Sequence, residues 1–317
     1  MNILFTCVGR RVELVQCFRN AGRLNAYDLK IIATDCSEAA PALHFCDGWY
    51  IVPRIRDEGY IPALLDVCKK ENIDLLIPTI DTDLPLLAEN AEKFKACGTF
   101  VMVSSPDIIE KCGNKLLTYQ LFSSLGLSTP KPCTDANEYN GGFPAFVKPF
   151  DGSGSVNSYR VNEQKNLLAI AERVNQYIVQ PFVGGEEYSV DVMCDFNGNP
   201  IYITPRRRLE VRGGEVSKSV IVQDETIIEE AKRLVECMKP CGPITIQLIR
   251  DKATRKDCYI EINPRFGGGA PMSVYAGADS PSAVLKLLNN EKVEPKLDAA
   301  ENGAMYARYD QSLRVDK

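Results

Sequence analysis

The sequence predicts a chain of mixed α/β and α+β class: a small open parallel sheet at the N-terminus, then two α+β lobes. Three observations predict it. Short apolar runs alternate with amphipathic helical stretches from Asn2 to about Ser105, the pattern of a parallel sheet with helices on both faces. Beyond that point strand-like runs follow one another more closely, and Asp195-Phe-Asn-Gly-Asn199 reads as a turn between two of them. The 317 residues, 45% apolar, suffice for two or three modest domains with a sizeable core. The expected divisions are 1–105, a smaller lobe 106–180 and a larger lobe 181–317.

In the first region the spacing predicts strands at Ile3–Val8, Leu29–Asp35, Asp47–Val52, Asp74–Pro78 and Thr99–Ser104, with helices at Val12–Gly22, Ile61–Asn72 and Leu84–Ala96. Ligands of such a sheet sit at the carboxyl ends of its strands. There, Gly9-Arg10-Arg11 opens the first helix, where backbone N–H groups and two cations favour an anion, and Asp81 and Asp83 follow a later strand. Arg10 and Arg11 read equally as surface cations at a helix start. Gly9 stands alone, without the Gly-x-Gly-x-x-Gly run of a dinucleotide site. The smaller lobe should hold a helix Leu116–Leu125, a strand ending at Lys148, a strand Ser158–Val161 and a helix Glu163–Val174. The larger lobe should hold strands Tyr188–Cys194, Pro200–Pro205 and about Ser217–Val222, a helix Asp224–Met238, two further strands, and a last strand Gly303–Tyr309.

Composition excludes several classes. Net charge is −5, and no basic run exceeds Arg206-Arg207-Arg208, which argues against bulk nucleic-acid binding. No stretch approaches the eighteen apolar residues of a membrane span, and the N-terminus carries no charged leader pattern, so a cytoplasmic protein is expected. Twelve cysteines are scattered without a Cys-x-x-Cys, and the single histidine, His44, has no partners for a zinc or Cys/His site. The cysteines read as buried small hydrophobes in a reducing compartment.

The chemistry concentrates late in the chain. In Asp257-Cys-Tyr-Ile-Glu261-Ile-Asn263-Pro-Arg265-Phe-Gly267-Gly268-Gly269, strand alternation puts Glu261, Asn263 and Arg265 on one face. Gln247 lies fourteen residues earlier, on a neighbouring strand. A carboxylate and amide oxygens so arranged suit Mg²⁺ shared with phosphate oxygens, and the arginine would meet the phosphoryl group. An ordinary amphipathic strand ending in a glycine turn is the other reading. Upstream, an apolar strand ends at Lys148 and enters the loop Gly152-Ser153-Gly154-Ser155, whose N–H groups can approach phosphate oxygens. Five cations crowd Arg206–Lys218, an ion-paired surface or an anion-binding segment.

These motifs, in this order, resemble the ATP-grasp superfamily of carboxylate-activating ligases, and Gln247 at the first metal position is similar to the carbamoyl phosphate synthase branch. The resemblance implies a pre-ATP-grasp, Rossmann-like domain on the acceptor side, followed by a two-lobed ATP-grasp fold. It implies ATP and Mg²⁺, with Mn²⁺ as a substitute. Lys115, Lys148 and the loop Gly152–Ser155 would bind phosphates. Gln180, Phe182 and Val183 would form the hinge against adenine, and Glu187 would take the ribose. Gln247, Glu261 and Asn263 would hold metal, and Arg265 and Lys218 would act on the transferred phosphoryl group. Arg10, Arg11, Arg206, Arg208, Arg212 and Gly268 would face the substrate. The relatives more often carry glutamate where Gln180 stands. A helix-start Lys115 reads also as a solvated cation. The implied reaction joins a small-molecule carboxylate and amine through an acyl phosphate, and the resemblance allows a homodimer. Phosphorylation of carbonate or carbamate, and a non-catalytic nucleotide-binding module, are the alternatives.

Overall fold

The structure, a computed structural model, describes residues 1–151 and 156–315. The expectation for Gly152, Ser153, Gly154 and Ser155 therefore lies outside the described residues. The N-terminal part runs β1 (Asn2–Thr6), α1 (Val12–Leu24), β2 (Lys30–Asp35), β3 (Gly48–Ile51), α2 (Tyr60–Glu71), β4 (Leu75–Pro78), α3 (Leu84–Glu89), α4 (Ala91–Ala96) and β5 (Phe100–Val101). Its five strands are all parallel, in the order β3-β2-β1-β4-β5. β1 shows why an unbroken apolar run was needed. Ile3 and Phe5 pack with Val15 and Phe18 of α1 on one face, while Leu4 packs with Leu64 and Val67 of α2 on the other. β2 and β4 flank β1 on opposite sides, so the crevice opens at the carboxyl end of β1.

The expected helix 84–96 is two helices. Asn90 sits between them at φ −106°, ψ 9°, and its side chain donates to the Leu86 carbonyl at 2.8 Å, a local bond that competes with helix continuation. The expected strand 99–104 shrinks to two residues.

α5 (Pro106–Gly113) and α6 (Lys115–Ser124) lead into the small sheet of β6 (Ala145–Pro149), β7 (Tyr159–Val161) and, after α7 (Leu167–Ala171), β8 (Tyr177–Pro181). Its order is β7-β6-β8, antiparallel throughout. Asn114 caps α6, accepting from the Leu116 N–H at 2.9 Å. The helix expected over 163–174 is shorter, a 3₁₀ turn and then α7, although Leu167, Ala171 and Val174 do face the small core.

The larger part contains β9 (Gly185–Cys194), β10 (Pro200–Arg212), β11 (Glu215–Ile221), α8 (Glu225–Met238), β12 (Pro243–Asp251), β13 (Asp257–Asn263), α9 (Ala270–Tyr275), α10 (Ser280–Leu288) and β14 (Met305–Ala307). Its sheet is β13-β12-β9-β10-β11-β14, all antiparallel. The strand expected to stop at Pro205 continues to Arg212, so the arginine segment is strand and not loop. Gly213 and Gly214, at φ 58° and 81°, make the two-residue turn into β11 that only left-handed residues allow. α8, capped by Asp224, packs Ile227, Leu234 and Val235 against the sheet with Val190, Ile246 and Tyr259. α9 and α10 were not anticipated, although Asp279-Ser280-Pro281 is a readable helix start and Asp279 does accept from the Ser282 N–H at 3.1 Å. α10 returns to the first sheet, placing Ala283, Val284 and Leu285 in one apolar cluster with Ile3 and Phe5.

All twelve cysteines are free, but only Cys17, Cys68, Cys112, Cys194 and Cys258 are buried, and Cys36 and Cys237 are exposed. No helix among the described residues is long and apolar enough to cross a membrane. Ile246, on β12, is fully buried in the cluster that joins the large sheet to α8. Ile246→Ala should therefore lower stability by about 2–5 kcal/mol, read as a fall in the urea midpoint with an unchanged slope.

Candidate active site

The small sheet faces the large one across a cleft of about 470 Å³ lined by Lys115, Lys148, Gln180, Phe182, Val183, Glu187, Arg208, Gln247 and Glu261. Register explains the far wall. Gln247 on β12 pairs with Glu261 on β13 and with Ser189 on β9, so an amide and a carboxylate stand side by side. The β12–β13 ladder then slips, Leu248 pairing with Tyr259, which leaves Ile260 as an extra residue. This bulge turns both Ile260 and Glu261 toward the cleft, where strict alternation would separate them. Asn263 Nδ2 donates to Glu261 Oε1 at 3.2 Å. Asn263 lines a second, adjoining cavity that also contains Glu261, Lys115 and Asp81.

Lys148 lies on β6 opposite Glu261 and is 7% exposed. Burial pulls its ammonium down to about 8; the Glu261 carboxylate opposes this and the Lys115 cation adds to it. Lys115 opens α6 and is also lowered by burial, against the pull of Glu261 and Asp151. One carboxylate thus faces two lysines carried by two different elements.

At the hinge side, Gln180 on β8 donates its Nε2 to the Pro130 carbonyl at 2.7 Å, so its side chain is already engaged. Phe182 is covered by the Arg160 guanidinium at 4.5 Å from its ring centre. Glu187 meets Arg208 Nη1 at 3.2 Å, and the same nitrogen approaches Gln247 Oε1 at 3.4 Å. Arg208 therefore bridges, along the large-sheet wall, the expected ribose residue and the expected metal residue.

Other expected residues lie elsewhere. Arg206 is 1% exposed and paired with Asp191 at 2.7 Å, which removes it from direct substrate contact. Arg212 and Arg10 both reach Asp310 at the surface, at 2.8 and 3.6 Å. Lys218 is held by Glu210 at 2.6 Å on the exposed β10–β11 hairpin, away from the cleft lining. β13 ends at Asn263, so Arg265 does not continue its period-two face. The Arg265 N–H donates back to the Asn263 carbonyl at 2.8 Å, and its guanidinium turns to Asp81 and to the Phe266 carbonyl. It meets Arg11 there. Arg11 Nη2 donates to the Thr79 carbonyl at 3.3 Å, and Arg11 Nη1 stands 2.8 Å from where a Cβ on Gly268 would be. Burial first, then Arg265 and Arg308, lower the Arg11 guanidinium to about 10, while Glu215 and Asp81 oppose the shift. Arg11, Arg265, Gly268 and Asp81 thus gather at a seam between the first sheet and the turn after β13. Glu215 and Arg308, joined at 3.0 Å beside this seam, had no sequence signal beyond their charge.

A PylC-like N-terminal domain matches residues 3–102, and an ATP-grasp domain matches residues 112–269. The chain thus carries an ATP-grasp domain behind a PylC-like N-terminal domain. It is 26% identical over 283 residues to the carbamoyl phosphate synthase large chain of Pseudothermotoga lettingae, covering 78% of this chain and 24% of that one. The chain thus spans about a quarter of the length of the curated relatives it matches. Among solved structures it resembles the L-amino acid ligase of Bacillus licheniformis (TM-score 0.71, 20% identity, 93% of this chain and 77% of that one). It also resembles the biotin carboxylase domain dimer of Hydrogenobacter thermophilus 2-oxoglutarate carboxylase, solved with MgADP, ADP and bicarbonate (TM-score 0.75, 15% identity, 96% and 73%). The expected two-part architecture, a parallel sheet followed by an ATP-grasp fold, is therefore the one observed.

The electrostatics of the cleft can be tested directly. Glu261→Gln should move the Lys148 titration below about 8, and Lys115→Met should move it up, as followed by the lysine ¹³Cε shift.

Proposed function

We propose that the chain is an ATP-dependent carboxylate–amine ligase that works through an acyl phosphate and releases ADP and phosphate. The observation that carries this reading is the convergence of Lys148 and Lys115 on the Glu261–Gln247 pair, inside one cleft between the two sheets. ATP would lie there, with adenine against the main chain of Phe182 and Val183, the ribose at Glu187, and the phosphates between the two lysines. Gln180 would shape the hinge through its bond to Pro130 and contact adenine by its backbone only.

Among the described residues no group of three or more His, Cys, Asp or Glu side chains could hold a metal alone. Gln247, Glu261 and Asn263 supply one carboxylate and two amide oxygens, a donor set that fits Mg²⁺ or Mn²⁺ only when phosphate oxygens complete it. When bound, the ion neutralises phosphate charge. The chain's own residues would do the rest. Arg208, beside Gln247, takes the position near the transferred group that Lys218 does not reach. Arg265 and Arg11 would orient the substrate from the seam, and Gly268 leaves room for it.

The relatives named as carbamoyl phosphate synthases favour a second reading, in which carbonate or carbamate is the phosphoryl acceptor. In both readings the substrates are small molecules, and a homodimer is the assembly proposed.

With ATP, Mg²⁺ and hydroxylamine, a panel of amino acids, amino sugars and hydroxy acids should yield one hydroxamate together with ADP and phosphate. Bicarbonate, run separately, decides the second reading. Formation of AMP and pyrophosphate would overturn both. Glu261→Gln should reduce Mg²⁺-dependent ADP formation on the order of 10²-fold or more while leaving the fold intact. Lys148→Ala should weaken ATP binding by about 2 kcal/mol and leave adenosine binding nearly unchanged; equal losses for both would remove Lys148 from the phosphates.

A further inference from the structure

We infer that Arg206 and Asp191 are positioning residues that set the turn carrying Arg265 and Gly268 against the metal-binding row. The pair lies on the same face of the large sheet as that row. Cross-strand register aligns Glu261, Gln247, Ser189 and Arg206 in one line, and Asn263, Thr245, Asp191 and Thr204 in the next. Arg206 is the largest fully buried side chain of the chain's described residues, and a guanidinium is not placed there for apolar packing.

Through Asp191 its bonds lead to the turn, while one further bond goes to β11. Arg206 Nε donates to Asp191 Oδ2 at 2.7 Å, and Ser273 of α9 donates to the same oxygen at 2.6 Å. Thr245 Oγ1 approaches both Asp191 Oδ1 and the Arg265 carbonyl, each at 3.4 Å. Arg206 Nη1 also reaches Ser219 on β11 at 3.3 Å. The turn itself presses on this network. A Cβ on Gly269 would stand 2.7 Å from Arg206 Nη2, and a Cβ on Gly267 would stand 2.7 Å from Thr245 Oγ1. Gly269 thus has no room for a side chain over Arg206 and Val216, nor Gly267 over Thr245, and both ends of the turn are tied to Asp191: one through Thr245, the other through Ser273 on α9. A buried pair resists displacement because separating it strands a charge without water. Moving the turn would have to break it.

The consequence for turnover rests on the proposed ligase reading; the geometric claim does not. The test pairs two variants. Asp191→Asn/Arg206→Met removes both charges while keeping approximate shape. Gly269→Ala leaves the pair intact but pushes a methyl onto it, at a backbone φ of −97° that alanine adopts freely. In each, amide exchange over residues 264–272 should quicken roughly tenfold relative to wild type, with residues 243–263 unchanged. The kcat for Mg²⁺-dependent ADP formation should fall while KM for ATP holds, because Lys148 and the hinge are untouched. Arg206→Lys, which keeps one donor toward Asp191, should recover part of both effects. Unaltered exchange over 264–272 in a folded variant overturns the inference, as does equal loosening of the whole sheet or a raised KM for ATP. If the double variant does not fold, Gly269→Ala decides. If the wild-type chain forms no ADP, the ligase reading fails and the exchange data still decide the positioning role.

Discussion

One carboxylate holds the cleft together. Lys148 is nearly buried and pays for that burial with an ammonium held near 8, far from its ordinary range. Lys115 repels it, and Glu261 is the carboxylate that opposes both effects. The three groups come from β6, the start of α6 and the end of β13, so the small sheet, the helix and the large sheet are brought to one point. Both ammonium charges are favoured there by Glu261, and the Lys115 cation weighs against that of Lys148. An anion such as phosphate entering such a cleft would relieve the repulsion between the lysines.

A second set of charges joins the N-terminal sheet to this machinery. Arg265 leaves β13 just where the strand ends and turns to Asp81 at the carboxyl end of the parallel sheet. Arg11 approaches Gly268 from the opposite side, and Arg308 near the C-terminus links Glu13 on α1 to Glu215 on the β10–β11 hairpin. Apolar packing follows the same seam, since Phe266 stacks edge-on against Phe18 at 5.8 Å. The N-terminal sheet is therefore joined to the larger sheet by charge and by apolar packing, and Asp81 lines the cavity next to Glu261.

Much of this was legible beforehand, for reasons visible in single residues. The buried strands of the parallel sheet read as unbroken apolar runs because both of their faces meet helices. The placement of Glu261 and Gln247 on the cleft wall was legible because each sits at a polar position of an alternating strand, and that of Lys148 because an apolar strand ends there in a cation. The ion-pair partners of Arg206, Arg212 and Lys218 were not legible, for a common reason. A cation's sequence neighbours say nothing about which carboxylate will stand across the sheet, and Asp191, Asp310 and Glu210 are supplied by other strands or by the tail.

What the sequence by itself determined is the order of elements, the class of fold and the residue types available to the cleft, because these follow from local periodicity and from composition. Helix 84–96 failed even at that level, where one asparagine side chain outcompeted the backbone. The tertiary structure alone decided which charges meet. The bulge at Ile260 and the end of β13 at Asn263 break the period of two, so Glu261 keeps its place on the cleft wall while Arg265 is released to the seam. A strand's alternation predicts facing only while its ladder stays in register, and register is a property of two strands at once.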